Sequence, residues 1–406
     1  MSQTPPSCPA SVEDVFACVE EHTRPLSVEA VSLESALGRV LRERVIADED
    51  QPRFDVAAMD GYAVRADEEA EWLEVVGMLR AGDWQPQQLE AGQAMQVATG
   101  AALPCAGLRV VPKEETERTG NQVRILRRPA DTCIRLRGQN FRAGDQLMAA
   151  GVRLNAGHLA LLASVGWVRP VVTRQPRILH LVTGNELVPP GQAPGPGQIR
   201  DTNTTLVAAF LSEWGLPVQS FRVGEDEAEA RTFLAPHLTG NQPPDLLLIS
   251  GGASVGEHDF TRSLLEYYGF RLLIHRTAAR PGRPLIFAVR NGTVAFGLPG
   301  NPLAHYVCLN LYVRAALQRI LGVEGGLAFA EGFLTEAWNP GRSPWETLCP
   351  AVWKLESGKA QITLLSWQNS GDLTPLRHAN AVARLPGGEQ PLSAGSKVVF
   401  LPTHPL

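Results

Sequence analysis

The sequence predicts a multi-domain α/β protein organised around a doubly wound, mostly parallel sheet, and three observations carry that reading. Between residues 177 and 320, short apolar runs alternate with stretches of helical spacing, the pattern of a parallel sheet covered by helices on both faces. Glycine-rich turns, Ser250-Gly251-Gly252 foremost, follow the apolar runs. On either side of this region, from about residue 45 to 139 and again beyond 325, short strand-like runs are broken by Gly, Pro and Asn.

Taken in order, Ser11-Val12-Glu13-Asp14 matches a capping box and starts a helix. A second helix is predicted over Leu33 to Arg42, with Leu33, Leu37, Val40 and Leu41 on one face. The β-rich stretch holds Leu73 to Val76, Met95 to Ala98, Arg109 to Thr116 and Val123 to Leu126. Gly120-Asn121 forms a hairpin tip because both residues tolerate positive φ. Helical texture returns from His158 to Val165. The alternating region then gives strands at Ile178 to Val182, Val218 to Val223, Leu246 to Ile249, Leu285 to Val289 and Thr293 to Phe296. Its helices lie at Thr204 to Trp214, Glu227 to Leu238, around Leu264 to Tyr268, and from Leu303 to Leu321. Cys349 to Leu355, Gln361 to Leu365 and Lys397 to Leu401 read as strands of a last β segment.

At 406 residues the chain exceeds what one hydrophobic core sustains, about 250 to 300 residues, so three or four domains are expected. Hydrophobic residues at 44% and charged residues at 19% exclude a disordered chain. No apolar run reaches the ~18 residues of a membrane helix. Met1 to Pro9 has neither the basic flank nor the apolar core of a signal peptide, so a cytoplasmic location is expected. The six cysteines stand at wide, irregular spacing and read as reduced thiols. A formal net charge of -5, with no Lys/Arg-rich cluster, argues against nucleic acid as the principal ligand.

Ligands of open α/β sheets bind where strands end, because the loops there face a crevice and helix starts present unpaired N–H groups. Ser250-Gly251-Gly252-Ala253-Ser254-Val255-Gly256 follows the most apolar strand, and its glycines would let backbone amides approach an anion. It is neither a Walker A loop nor a dinucleotide fingerprint. Gly252 to Gly256 also matches a nucleophile elbow centred on Ser254, for which Asp372 with His378 or His404 would complete a triad. Carboxylates recur at the loops: Asp60, Glu186, Glu225, Asp226 and Asp259, hard oxygen donors suited to Mg²⁺ held together with phosphate. Each could instead cap a helix, Asp259 in particular. Arg280-Pro281-Gly282-Arg283-Pro284 sets two guanidinium groups on a proline-stiffened turn suited to oxyanions. Pro299-Gly300-Asn301-Pro302 enters a helix and offers a second amide-lined start.

Together these loops resemble one family, the MoeA and gephyrin E-domain proteins, the molybdopterin molybdenumtransferases. The matching runs are Ala58-Met59-Asp60-Gly61-Tyr62-Ala63, Ala98-Thr99-Gly100-Ala101, Thr183-Gly184-Asn185-Glu186-Leu187, Asp201-Thr202-Asn203, Ser250 to Gly256, Arg280 to Pro284 and Gly297 to Pro302, in the family's order over nearly the whole chain. The resemblance implies a MogA/MoeA-like α/β molybdopterin-binding domain at 174–325 and an inserted β-rich domain at 45–139. It also implies an elongated linker or dimer domain from 1–44 and 140–173, and a C-terminal β-barrel-like domain at 326–406. The implied activity is Mg²⁺-dependent insertion of molybdate into adenylylated molybdopterin with release of AMP. The resemblance further implies a homodimer, served by a MogA-like adenylyltransferase and supplying recipient molybdoenzymes.

By matching position, the resemblance makes Asp60, Thr99, Glu186, Glu225 and Asp259 catalytic, with Glu186, Glu225, Asp226 and Asp259 as metal ligands. Ser250, Gly251, Gly252, Ser254, Gly256, Arg280, Arg283, Pro299, Gly300, Asn301 and Ser370 would bind the pterin substrate or the oxyanion. The chain departs from the family pattern at Gln139-Asn140, at Asn185 in place of Asp, at Glu225, and at Arg280 and Arg283 in place of lysines. Ala304 stands in place of a Ser, and Thr347 in place of an Arg. An active enzyme with a retuned oxyanion corner, a pterin- or partner-binding carrier, and a serine hydrolase using Ser254 are the three functions these residues leave open.

Overall fold

The computed structural model describes residues 8–252, 259–341 and 343–403. The chain parts into two compact units. The first comprises Met1–Arg42, Gly151–Ala156 and Arg169–Leu406; the second comprises Glu43–Ala150 and Gly157–Val168.

In the first unit, helix α1 (Val12–His22) starts as its capping box requires. The Asp14 amide donates to Ser11 Oγ, and the Ser11 amide donates to the Asp14 carboxylate, each at 3.0 Å. Its buried face is Val12, Val15 and Val19, one turn apart, packed in the same core as Leu317 and Ile320. The helix predicted over Leu33 to Arg42 does not form. Only Leu33–Ser35 makes a 3₁₀ turn, Gly38 takes φ +75°, and Val40 and Leu41 bridge Arg153 and Val172. Backbone pairing with distant strands outweighed a spacing that local periodicity alone suggested.

The second unit carries an antiparallel-rich sheet. Its strands are β1 (Gly61–Arg65), β2 (Trp72–Leu79), β3 (Gln93–Val97), β4 (Leu108–Pro112), β5 (Thr116–Thr119) and β6 (Gln122–Ile125), in the order β4-β1-β3-β2-β6-β5. Gly120-Asn121 is the tip of the β5–β6 hairpin. The single strand predicted over Arg109 to Thr116 is split by a 3₁₀ turn at Lys113–Glu115. Gly61 admits no side chain, since a Cβ there would lie 2.1 Å from the Val111 carbonyl oxygen on β4. A helix, α2 (Ala156–Ser164), follows.

The central sheet of the first unit contains β7 (Ile178–Thr183), β8 (Gln219–Val223), β9 (Leu246–Ser250), β10 (Arg271–Ile274), β12 (Ile286–Arg290) and β13 (Thr293–Leu298). Their order is β8-β7-β9-β13-β12-β10, and the first four are mutually parallel. Helices α3 (Asn203–Ser212), α4 (Glu227–Thr239) and α5 (Phe260–Tyr267) connect these strands. Strand β9 is buried along its whole length, and each of its Leu and Ile side chains contributes about 1.5–3 kcal/mol by leaving water. The edge strand β10 pairs antiparallel with β12; no turn signal in the sequence announced it. From Pro302 to Leu321 the predicted long helix runs as α6 (Pro302–Cys308), a π-helical turn at Leu309–Val313 and α7 (Arg314–Leu321). Gly322 ends it in the left-handed conformation.

The last segment closes into a barrel. Strands β14 (Ala330–Leu334), β15 (Glu346–Glu356), β16 (Lys359–Leu364), β17 (Ala381–Leu385) and β18 (Lys397–Pro402) pair in the order β15-β16-β14-β18-β17, and β17 returns to β15. A short strand, β11 (Ala279–Arg280), joins this barrel in parallel to β15, so the arginine turn is anchored beside the barrel rather than on the central sheet. Among the described residues, no helix is long and apolar enough to cross a membrane. All six cysteines are free thiols, with Cys308 and Cys349 buried.

Candidate functional site

The carboxyl ends of β7, β8, β9 and β13 open into a cleft of about 760 Å³ shared with the barrel. Its floor is held by a buried polar layer. Ser250, at the end of β9 and fully buried, places its Oγ 2.7 Å from His180 Nε2, and the other ring nitrogen of His180 lies 3.2 Å from Ser220 Oγ. His305 Nδ1 lies 3.0 Å from the Pro299 carbonyl oxygen, and Asn203 Nδ2 donates to the Gly300 carbonyl at 2.8 Å. Thus His180 steadies one loop, and His305 with Asn203 steadies the other. Burial pushes the His180 imidazole down to about 3, reinforced by nearby His305. Burial likewise takes His305 down to about 4, against the opposing effect of its hydrogen bond to the Pro299 carbonyl. Both rings are neutral at physiological pH.

The glycine turn is a close backbone contact between two strands. Gly251 sits at φ +93°, and a Cβ there would meet the Thr183 carbonyl oxygen at 2.6 Å, so only glycine lets β9 turn this close to β7. Its amide donates to the Leu298 carbonyl at 3.2 Å, tying the two loops together. The second loop differs from expectation. The amides of Leu303 and Ala304 donate to the Ser370 carbonyl, at 3.0 and 3.3 Å, so the start of α6 is already capped by the protein. Asn301 Nδ2 also donates to Ser370 Oγ at 2.7 Å. These bonds bring Ser370 into the cleft from a position 69 residues away in sequence.

Ser250, Gly251, Gly252, Pro299, Gly300, Asn301, Ser370, Arg280, Arg283, Glu186 and Glu225 all line this one cleft. Glu186 and Glu225 come from neighbouring loops linked by Asn185, whose Oδ1 accepts the Glu225 amide at 3.2 Å. Asp226 and Asp259 do not line it. Asp226 caps α4 by accepting the Glu229 amide at 3.0 Å. Asp259 caps α5 through the Arg262 amide and holds His275 Nε2 at 3.0 Å. Ser254 and Gly256 lie outside the described residues, and the hydrolase reading rests on them. The Asp372 carboxylate accepts the amide and hydroxyl of Thr374 and the amide of Gln368, closing its own turn.

Asp60 and Thr99 belong to the second unit. There Thr99 donates both its amide (2.7 Å) and its hydroxyl (2.8 Å) to Asp60 Oδ1, and these bonds hold the Asp60 carboxyl below the usual carboxylate range. Of the departures, Ala304 is buried and brings no side-chain donor, and Thr347 is 8% exposed and pairs in register with Arg280. Asn140 uses its backbone amide to reach the Gln51 carbonyl. Among the described residues, no group of three or more His, Cys, Asp or Glu is arranged to hold a metal. Trp345, Trp367 and Asn369 also line the cleft. Sequence reasoning missed them because a lone tryptophan or asparagine in a non-periodic loop carries no signal.

Two family models match the chain: "MoeA N-terminal region (domain I and II)" over residues 10–166 and "Probable molybdopterin binding domain" over residues 180–319. The molybdopterin molybdenumtransferase of Bacillus subtilis is 32% identical, covering 97% of this chain and 94% of its own length. That of a Nostoc species is also 32% identical, over 98% and 93%. The enzyme of Staphylococcus epidermidis is 29% identical over 98% and 96%. Among solved structures, the molybdopterin biosynthesis MoeA protein of Pyrococcus horikoshii matches with a TM-score of 0.80 at 29% identity, covering 98% of this chain and 100% of that one.

Proposed function

The chain belongs to the molybdopterin molybdenumtransferase family, and from that premise we propose that it inserts molybdate into adenylylated molybdopterin, with Mg²⁺ and release of AMP, at the cleft of the first unit. It acts in molybdenum cofactor biosynthesis as a transferase. The observation that carries the finer reading is chemical. One cleft joins two carboxylates, Glu186 and Glu225, two guanidinium groups, Arg280 and Arg283, and the glycine turn at Ser250 to Gly252.

Two carboxylates without a third protein ligand fit Mg²⁺, which binds through one or two carboxylates plus substrate phosphates and keeps much of its water. Glu186 and Glu225 would hold it, and when bound it would neutralise charge on the phosphoanhydride of the adenylylated substrate. The protein's own part is positioning. Ser250, fixed by His180, and the Gly251 turn receive the phosphates, while Asn301 and Ser370 orient the pterin side. Arg280 and Arg283 attract the tetrahedral oxyanion, each with a planar donor fork that a lysine lacks. Asp60, kept ionised by Thr99, completes the site in this reading from the second subunit of a homodimer. The division into a linker domain, an inserted β-rich domain, a pterin-binding domain and a C-terminal barrel, a cytoplasmic location, and an adenylyltransferase that supplies the substrate all belong to the same proposal.

The test is to incubate the purified protein with adenylylated molybdopterin, Mg²⁺ and molybdate and to follow AMP. Molybdate-dependent AMP release supports the proposal, and Glu186→Ala and Asp60→Ala should each remove most of it while the protein stays folded. Tight pterin binding without AMP above the blank would replace the enzyme by a carrier, the outcome favoured by Ala304, which has no side-chain donor, and by Thr347, which has no guanidinium.

A further inference from the structure

Within the cleft, neither Arg280 nor Arg283 forms an ion pair among the described residues, whereas Arg174 and Arg384, for example, are matched with carboxylates. Their backbone is nevertheless fixed. Arg280 pairs in register with Thr347, the Arg283 carbonyl accepts the Thr277 amide at 2.9 Å, and the Gly282 carbonyl accepts the Thr277 hydroxyl at 3.0 Å. The contact that Arg283 does make is aromatic, with its guanidinium carbon 5.1 Å from the centre of the Trp345 ring. A guanidinium drawn over an indole face is restrained by the ring without that contact using any N–H, so its donors remain available to a ligand.

We propose that Trp345 is a positioning residue for oxyanion capture, holding the Arg283 guanidinium flat so that its N–H edge meets a tetrahedral oxyanion beside Arg280. This rests on the function proposed above and explains how a cleft with Thr347 where the family pattern has an arginine still concentrates oriented positive charge. Arg283 supplies the fork and Trp345 fixes its plane. The same chemistry would serve free molybdate or the phosphate of the pterin substrate, and the two sources separate by experiment.

The test is isothermal titration of the full-length protein with molybdate alone, with inorganic phosphate alone and with AMP. Trp345→Leu should weaken molybdate binding about three- to thirty-fold, the range a cation–π contact spans, while AMP binding is unchanged. Trp345→Phe should keep most of the affinity. In an Arg283→Ala background, Trp345→Leu should cause no further loss, a coupling that mere structural damage would not produce. Should Trp345→Leu fail to fold, Arg283→Lys decides the matter: it keeps the charge but not the planar fork, and wild-type molybdate affinity there overturns the proposal. Unchanged affinity in Trp345→Leu, or an equal loss with and without Arg283, overturns it too. A loss seen with phosphate and not molybdate assigns the fork to the substrate's phosphate. No molybdate binding by the wild-type protein would overturn both this inference and the function it rests on, whereas wild-type binding indifferent to Trp345 overturns this inference alone.

Discussion

Acidification should destabilise the first unit through the two buried histidines under the cleft. His180 and His305 are fully buried and neutral, with imidazoles pushed to about 3 and about 4. In the unfolded chain both return to about 6.5. Because the folded values are depressed, the unfolded state binds the extra protons. Stability therefore falls as pH drops below about 6.5, and the loss is complete only below the folded values. At pH 5 each unfolded imidazole is almost fully protonated while its folded counterpart is not. With about 1.4 kcal/mol per unit over one and a half units, each costs about 2 kcal/mol, or about 4 kcal/mol together. The assay is urea denaturation at pH 7, 6 and 5 of the wild-type protein and of the His180→Gln/His305→Gln variant. The variant should start less stable, because Ser250 and Pro299 lose their partners, but should lose about 4 kcal/mol less between pH 7 and 5. Parallel pH profiles for the two proteins, or an imidazole titrating near 6.5 in the folded state, would refute the reasoning.

Gly251→Ala should destabilise the protein by about 1–3 kcal/mol and cost at least tenfold in turnover, since its Cβ would strike the Thr183 carbonyl in a backbone conformation that disfavours L side chains; thermal melting and AMP release read the two effects. Thr99→Ala should move the acid limb of the activity profile modestly to higher pH, because the hydroxyl bond that helps hold the Asp60 carboxyl low is lost while the bond from the backbone amide at 99 remains; an unmoved limb would remove Asp60 from the reaction. Burial raises the Asp245 carboxyl, but the Arg174 fork and the Arg177 amide outweigh it and hold it below the usual range. Asp245→Asn should therefore cost about 2 kcal/mol at neutral pH, and the cost should begin to shrink below about pH 4, the ordinary carboxylate range, and vanish only once the pH falls below the lowered folded value.

What the sequence determined by itself was written in short-range pattern. The Ser11 to Asp14 capping box and the Gly120-Asn121 turn act through neighbours a few residues away, and the wholly apolar run of β9 shows in its own residues, so spacing and residue type suffice to read them. The same locality misled at Leu33 to Arg42, where a helical spacing was overruled by pairing with residues more than a hundred positions on. Tertiary structure alone decided which candidates converge. It brought Ser370 onto Asn301 and the start of α6, set Trp345 beside Arg283, and used Asp226 and Asp259 as helix caps that do not line the cleft. It also exposed the neutral histidines that carry the loops. Desolvation, stacking and capping depend on what lies within a few ångströms, and for these residues the neighbours come from distant stretches of chain or from backbone groups whose direction spacing does not encode.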